Sequence, residues 1–412
     1  MQYIVRKSKQ NLDIRVNLPS SKSISNRLLI MSALSDSRMI IDNLSDSDDT
    51  VIMNKVVHSD GEVKDVGHAG TAMRFLTAYY ALVPGEVILT GTERMQNRPV
   101  GELVDRLREL GARIEYTGKE GYPPLKISGG HMKGGHITID SSVSSQFISA
   151  LLMIGPCLDG GLRLSLTGDT ISSSYIRLTT GLMQRAGIDV HWSENSIYIP
   201  RGSYRPGHYF CEPDWSSASY LFEVVSIAKK TRIFFPDLTG ESLQGDSSLP
   251  SLFRAFDVEP LFTPEGLLIK CCAGKTNYFS FDFRENPDLV QTIIPVCVAH
   301  EIPFEITGTK TLRIKETDRI SALSVELKKF DVELQFDATG DWIAWDGKTR
   351  PNWHKNTVIE TYKDHRMAMG MAPLSILTQG LIINDPLVVS KSYPGYWNDL
   401  KKAGFDIKRI QA

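Results

Sequence analysis

Ala186-Gly187-Ile188-Asp189-Val190 closes an amphipathic segment and opens a short apolar run, and the same passage recurs along the chain. Its other copies are Leu110-Gly111-Ala112-Arg113-Ile114, Ala255-Phe256-Asp257-Val258-Glu259, Lys329-Phe330-Asp331-Val332-Glu333 and Ala403-Gly404-Phe405-Asp406-Ile407. Each reads as the last turn of a helix, a Gly or Phe, and the start of a strand. Taking positions 111, 187, 256, 330 and 404 as equivalent gives spacings of 76, 69, 74 and 74 residues, a period that marks a duplicated α/β unit. Gly at the junction suits a helix C-cap, where a left-handed residue ends the helix. A sixth copy is expected near residue 57, but only Asn54-Lys55-Val56-Val57-His58 stands there, followed by polar Ser59 to Asp65. The first unit is therefore expected to be shortened, without its usual strand and helix. Six units over 412 residues divide into two domains of three, in keeping with the length at which one core gives way to two.

The periodicity fills in the units. Val100, Leu103, Val104, Leu107 and Leu110 form one helical stripe, and Ile320, Leu323, Leu327 and Phe330 another. Val87–Thr90, Leu125–Ser128 and Ile137–Asp140 read as strands. Long helices with short strands between them place the chain in the α/β (α+β) class.

Composition narrows the function. Hydrophobic residues make up 42% and charged residues 23%, and the formal net charge is -2. That profile fits a globular protein with no global attraction for nucleic acid or an anionic membrane, so any cationic site has to be assembled locally. The polar N-terminus is neither a signal nor a transit peptide. The longest apolar stretch, Phe147 to Leu158, contains Gly155 and Pro156 and is too short to span a bilayer. Five cysteines without CxxC spacing suit free thiols in a reducing compartment. His131 and His136 flank Gly134-Gly135, which reads as a turn rather than a metal site. A cytoplasmic monomer without metal or cofactor is the expectation.

Polar groups precede the helices. Ser20-Ser21-Lys22-Ser23-Ile24-Ser25-Asn26-Arg27, Gly67-His68-Ala69-Gly70-Thr71, Arg98-Pro99, Ser144-Ser145-Gln146, Ser172-Ser173-Ser174-Tyr175, Lys315-Glu316 and Asp364-His365-Arg366 each lead into an apolar helical run. Ordinary N-capping explains any single Ser pair. Seven such starts point instead to anion binding, because helix N-termini offer free N–H groups and partial positive charge. Neither a Walker A loop nor a GxGxxG fingerprint is present. Two carboxylates stand beside the cations. Glu316 lies between Lys315 and Arg319, one helical turn apart and expected on one face, where a surface ion pair and a functional acid are equally plain readings. Asp288 follows Pro287 before an apolar run, where a helix N-cap is the plainer reading.

These motifs resemble, in order and from Leu18 to Trp397, the 5-enolpyruvylshikimate-3-phosphate synthase family of enolpyruvyl transferases. The resemblance is carried by LPSSKSISNR (18–27), AGTAMR (69–74), RMQNRPV (94–100), SVSSQF (142–147), SSASY (216–220), QGD (244–246), KETDR (315–319), DHRMAM (364–369) and Lys391-Ser392-Tyr393-Pro394. It implies a two-domain enolpyruvyl transferase fold of three repeated α/β units each, with residues 1–20 and 214–412 in one domain, 21–213 in the other, and the active site in the cleft between them. It implies transfer of the enolpyruvyl group of phosphoenolpyruvate to the 5-hydroxyl of 3-phosphoshikimate, on the route to chorismate and the aromatic amino acids.

Carried over by position, the resemblance assigns 3-phosphoshikimate to Lys22, Ser23, Arg27, Ser144, Ser145, Gln146, Ser172, Tyr175, Asp288, Thr311 and Lys315. It assigns phosphoenolpyruvate to Lys22, Gly70, Arg98, Gln146, Arg319, Arg366 and Lys391, the site at which glyphosate acts in the family. Asp288 would take the 5-hydroxyl proton and Glu316 would donate to the methylene carbon, with Lys22 touching both substrates. Asp48 and Asp49 would brace the cations. His68 and Thr311 each stand where the family usually has Asn, and Phe75 alters the packing behind the Gly70 loop. The related transferase acting on UDP-N-acetylglucosamine usually carries a Cys before its Arg-Pro, and Thr92 to Arg98 contains none. A non-catalytic anion-binding scaffold would have no need for the paired acid and base.

Overall fold

The computed structural model describes residues 1–8, 12–142, 144–168, 173–274, 276–354 and 357–410. The chain divides into two compact units, Ser20–Glu212 and Met1–Pro19 with Pro213–Ala412. One repeated design accounts for both: strand, helix, parallel strand, helix, then an antiparallel hairpin.

In the unit Ser20–Glu212, Val63–Asp65 runs parallel to Gly85–Thr90, which pairs antiparallel with Leu125–Gly129 and through it with Arg113–Tyr116. Lys133–Asp140, Asp159–Thr167, Ser196–Ile199 and His191–Ser193 repeat that order. The third sheet has two strands, Gly207–Phe210 parallel to Met39–Asp42. Its helices are present, Lys22–Leu34 and Asp48–Val57, so the shortening is not the loss of a helix expected from the sequence. What is missing is the hairpin: the chain passes from Val57 directly to Val63, the first strand of the next sheet. The other unit carries three four-stranded sheets of the same order. In the last of them the hairpin strand is the N-terminal Gln2–Lys7, set between Leu381–Asn384 and Phe405–Ile410.

Three of the junctions that reveal the repeat are Schellman caps. Gly111 N–H bonds Arg108 O and Ala112 N–H bonds Leu107 O, and Gly187/Ile188 and Asp331/Val332 repeat the pair of bonds. The left-handed residue is Gly111, Gly187, Asp257, Asp331 and Gly404. Phe256 and Phe330, aligned with Gly by sequence, are instead buried one residue earlier, and Asp takes the left-handed position because its short polar side chain tolerates it. Gly134-Gly135 is not a turn. Both lie in the strand Lys133–Asp140 at a register shift, where a side chain on Gly134 would meet the carbonyls of Gly161 and Asp159.

Each unit has three inner helices that pack on one another: Lys22–Leu34, Gly70–Leu82 and Ser145–Ile154 in one, Trp215–Ala228, Val290–Ala299 and His365–Met371 in the other. They are buried around most of their circumference, as a helix enclosed by neighbours and sheets must be. Functional side chains therefore have only the helix ends at which to reach solvent.

One inner-helix residue departs from the apolar pattern. Glu223 is fully buried and neither carboxyl oxygen has a hydrogen-bond partner among the described residues. Burial raises its pKa well above the ordinary carboxylate value. The folded protein thus keeps Glu223 protonated where the unfolded chain ionises it, and stability falls as pH rises above the unfolded value until the folded pKa is reached. Glu223→Met is expected to raise the unfolding free energy by about 2 kcal/mol at pH 8, with a smaller gain at pH 5. Chemical denaturation at the two pH values checks this, and equal or lower stability of the variant at pH 8 refutes it.

Candidate active site

In the unit Ser20–Glu212 the N-terminal turns of two inner helices meet. Gln146, in the first turn of Ser145–Ile154, donates from Nε2 to Thr71 Oγ1 (3.2 Å) at the start of Gly70–Leu82. Ser144 caps its helix by accepting from Gln146 N, and Ser145 is the first helical residue. Gly70 has no side chain because the Arg98 guanidinium occupies that space: a Cβ would lie 2.4 Å from Arg98 Nη1. Arg74 donates to Gly70 O and Pro99 O, tying the helix start to the turn that carries Arg98. Pro99 itself lies before the helix, which starts at Gly101. Lys22 is partly exposed and pairs with the buried Asp49 (3.3 Å), the bracing role expected for that acid. Ser23 lies beside it, and its carbonyl accepts from Arg27 Nη1 (2.9 Å). The Tyr175 and Phe75 rings flank the Arg27 guanidinium at 5.8 and 5.3 Å. Ser172 lies outside the described residues. His68 is exposed on the turn before Gly70.

The other unit builds a denser cluster around Arg319, whose exposure is 1%. Arg319 Nε donates to Asp364 Oδ2 (2.8 Å), Nη1 to Asp288 Oδ1 (3.0 Å) and Nη2 to Glu316 Oε2 (3.0 Å). Lys391 Nζ holds the second oxygen of Glu316 (2.9 Å), and Arg366 Nη2 holds that of Asp288 (3.1 Å). Arg366 Nη1 also donates to the buried Tyr220 hydroxyl (3.1 Å). Burial works against the Arg319 charge, but Asp364, Glu316 and Asp288 together outweigh it and hold its pKa above the ordinary value. Lys315 is half-buried, and desolvation holds its ammonium below the usual range, with Asp288 opposing. Thr311 lies in the 3-10 turn Lys310–Ile314 that leads to Lys315, and its Oγ1 is buried without a partner among the described residues.

Three local expectations change. Asp288 is not the N-cap of Val290–Ala299: it sits in the 3-10 turn Pro287–Leu289 and faces two arginines. Glu316 is no surface pair, since its partners Arg319 and Lys391 are buried. Lys315 and Arg319 do not share a helix face, because Asp318 caps the helix and Arg319 is its first residue. Sequence reading also passed over Asp364 and Asp246. Asp364 is an N-cap that accepts from Arg366 N while binding Arg319, and only the helix-start signal was visible. Asp246 belongs to the QGD motif, and nothing in its spacing reveals that it lies near Asp288.

The residues 6–61 and 57–400 match the family model described as EPSP synthase (3-phosphoshikimate 1-carboxyvinyltransferase). The chain is 46% identical over 409 residues to the 3-phosphoshikimate 1-carboxyvinyltransferase of Bacteroides fragilis strain YCH46, covering 99% of each. It is 34% identical over 421 residues to that of Aliivibrio salmonicida, covering 95% of this chain and 97% of the relative. Its fold is similar to a solved EPSP synthase from Acinetobacter baumannii, with a TM-score of 0.79 at 18% identity over 99% of this chain and 100% of that one.

Asp246 gives the cluster a pH signature. Its buried carboxyl accepts from Ser216 and Asn286. Burial, and then the charge of Asp288, push its pKa from 3.8 up to about 6. The unfolded chain releases this proton before the folded protein does, so the stability cost develops as pH rises from about 4 to 6 and is complete above it, at about 3 kcal/mol. Asp246→Asn is expected to flatten the pH dependence of unfolding across that interval. An unchanged slope in pH-resolved denaturation refutes the assignment.

Proposed function

The chain belongs to the EPSP synthase (3-phosphoshikimate 1-carboxyvinyltransferase) family, and on that premise we propose how its two clusters divide the work of one reaction. The reaction moves the carboxyvinyl group of phosphoenolpyruvate to the 5-hydroxyl of 3-phosphoshikimate and releases phosphate. It proceeds by addition and elimination through a tetrahedral intermediate. The observation that carries the assignment of roles is the pair of carboxylates, Asp288 and Glu316, bonded to one buried guanidinium, Arg319.

Addition needs a base for the 5-hydroxyl proton and an acid for C3 of phosphoenolpyruvate. Asp288 takes the hydroxyl proton as the oxygen bonds to C2, and Glu316 delivers a proton to C3. In elimination a proton leaves the resulting methyl group to Glu316 as the C2–O bond to phosphate breaks. Arg319, Arg366 and Lys391 hold phosphoenolpyruvate and stabilise the charge that develops on it. Arg98, Gly70 and Gln146 contribute from the other unit, where N–H groups at a helix start suit an anion. Lys22 serves both substrates. Ser23, Arg27, Ser144, Ser145, Ser172 and Tyr175 bind 3-phosphoshikimate, with Lys315 and Thr311 from the unit of Arg319. Thr311 offers a hydroxyl in place of the family's usual amide. The five cysteines are free thiols, which suits the cytoplasm. No helix among the described residues is long and apolar enough to cross a membrane.

Two variants test the division. Asp288→Asn keeps the shape of the side chain but removes its charge and basicity, so kcat for phosphate release is expected to fall by about 10² or more, with smaller changes in either KM. Wild-type turnover would remove Asp288 from the reaction. Gly70→Ala places a methyl group against Arg98 and is expected to raise the KM for phosphoenolpyruvate by about tenfold or more, leaving 3-phosphoshikimate binding close to wild type. Steady-state kinetics with each substrate varied in turn distinguishes these outcomes, and an unchanged phosphoenolpyruvate KM would separate Gly70 from that substrate.

A further inference from the structure

Arg27 and Arg319 are both buried, and they are held in opposite ways. Arg319 is surrounded by carboxylates. Arg27 is 2% exposed and has no carboxylate partner among the described residues. Its Nε donates to Thr179 Oγ1 (2.7 Å), its Nη2 to Ser149 Oγ (3.0 Å) and Tyr175 O (3.4 Å), and its Nη1 to Ser23 O (2.9 Å). The two hydroxyls also bond each other (2.8 Å), and Thr179 donates to Tyr175 O (2.8 Å). One proton arrangement satisfies the whole set: Thr179 donates to Tyr175 O, Ser149 donates to Thr179, and both hydroxyl oxygens accept from Arg27. Ser149 and Thr179 are fully buried, so neither hydroxyl has water as a competing partner at its surface.

A guanidinium has five N–H donors. Four are placed by these contacts, which leaves one on Nη1 for a ligand. Every acceptor is neutral. The charge is therefore fixed in direction without being cancelled, and burial pushes the Arg27 pKa down to about 10.

We propose that Ser149 and Thr179 are positioning residues that clamp Arg27 through uncharged acceptors, reserving its full charge for the anionic substrate. This rests on the assignment of 3-phosphoshikimate to Arg27. The clamp reaches across the unit: Arg27 lies on Lys22–Leu34, Ser149 on Ser145–Ile154 and Thr179 on Ser173–Arg185. A carboxylate at either hydroxyl position would make the stronger hydrogen bond, but it would neutralise the cation before substrate arrives.

The test is steady-state phosphate release by the full chain, with thermal midpoints recorded for every variant. Thr179→Val removes the acceptor at constant shape and is expected to raise the 3-phosphoshikimate KM about tenfold, with kcat and the phosphoenolpyruvate KM staying within about twofold. Thr179→Ser restores the wild-type values. Thr179→Asp is expected to raise that KM at least about tenfold above Thr179→Asn, because only Asp cancels the charge. Equal KM values for the Asp and Asn variants overturn the clamp, as does a Val variant in which kcat and both KM values move together. If Asp at position 179 prevents folding, the contrast between Val and Ser decides alone. Arg27→Ala separates the two levels. A raised 3-phosphoshikimate KM there, with Asp matching Asn at position 179, overturns only the clamp. An unchanged KM removes the substrate from Arg27 and the purpose of the clamp with it.

Discussion

The buried guanidinium of Arg319 is the constraint on which its half of the site depends. Its bonds reach three carboxylates: Asp364 before one helix, Glu316 just ahead of its own helix, and Asp288 in a 3-10 turn. Three segments distant in sequence, around positions 288, 316–319 and 364, are thereby fixed to one planar group. A buried charge so placed is tolerated only because its donors are satisfied by carboxylates. Lys391 and Arg366 extend the network by taking the remaining oxygens of Glu316 and Asp288. The acid and base proposed for the reaction are held in register by the same contact that makes the cation tolerable in the interior.

The other unit solves a different problem with the same helices. Two of its inner-helix starts meet through Gln146 and Thr71, and Arg27 and Arg74 are held by main-chain carbonyls, with hydroxyls and aromatic faces added at Arg27. Lys22, by contrast, pairs with Asp49. Neutral support leaves positive charge to be used by a ligand, whereas the carboxylates around Arg319 supply groups that can move protons. The two buried cations thus differ in their acceptors, neutral groups around Arg27 and carboxylates around Arg319, and the proton-transfer roles proposed above fall only to the second set.

Much of this was legible in the sequence because it is local. The repeated helix-to-strand passage reflects a Schellman cap, whose bonds span six consecutive residues and so leave a fixed imprint. The imprint was misread by one residue at Phe256 and Phe330, where Asp replaces Gly in the left-handed position and a buried Phe precedes it. Helix starts carrying Ser, Lys or Arg were likewise visible as a pattern. The arginine contacts of Asp288 and Asp364 were not, because an Asp that caps a helix and an Asp that holds an arginine look the same in sequence.

By itself, then, the sequence determined the repeat, the α/β class, and the residue types available for anion binding and proton transfer, since these depend on periodicity and short-range bonding. The order of nine motifs carried the resemblance to a family. Only the tertiary structure decided which carboxylate meets which cation, that the first repeat lacks a hairpin while keeping its helix, and that Arg27, among the described residues, meets neutral acceptors while Arg319 meets carboxylates. Those outcomes depend on contacts between residues as far apart as Arg27 and Thr179, or Glu316 and Lys391. Burial and chain topology set such contacts, and no short window of sequence contains them.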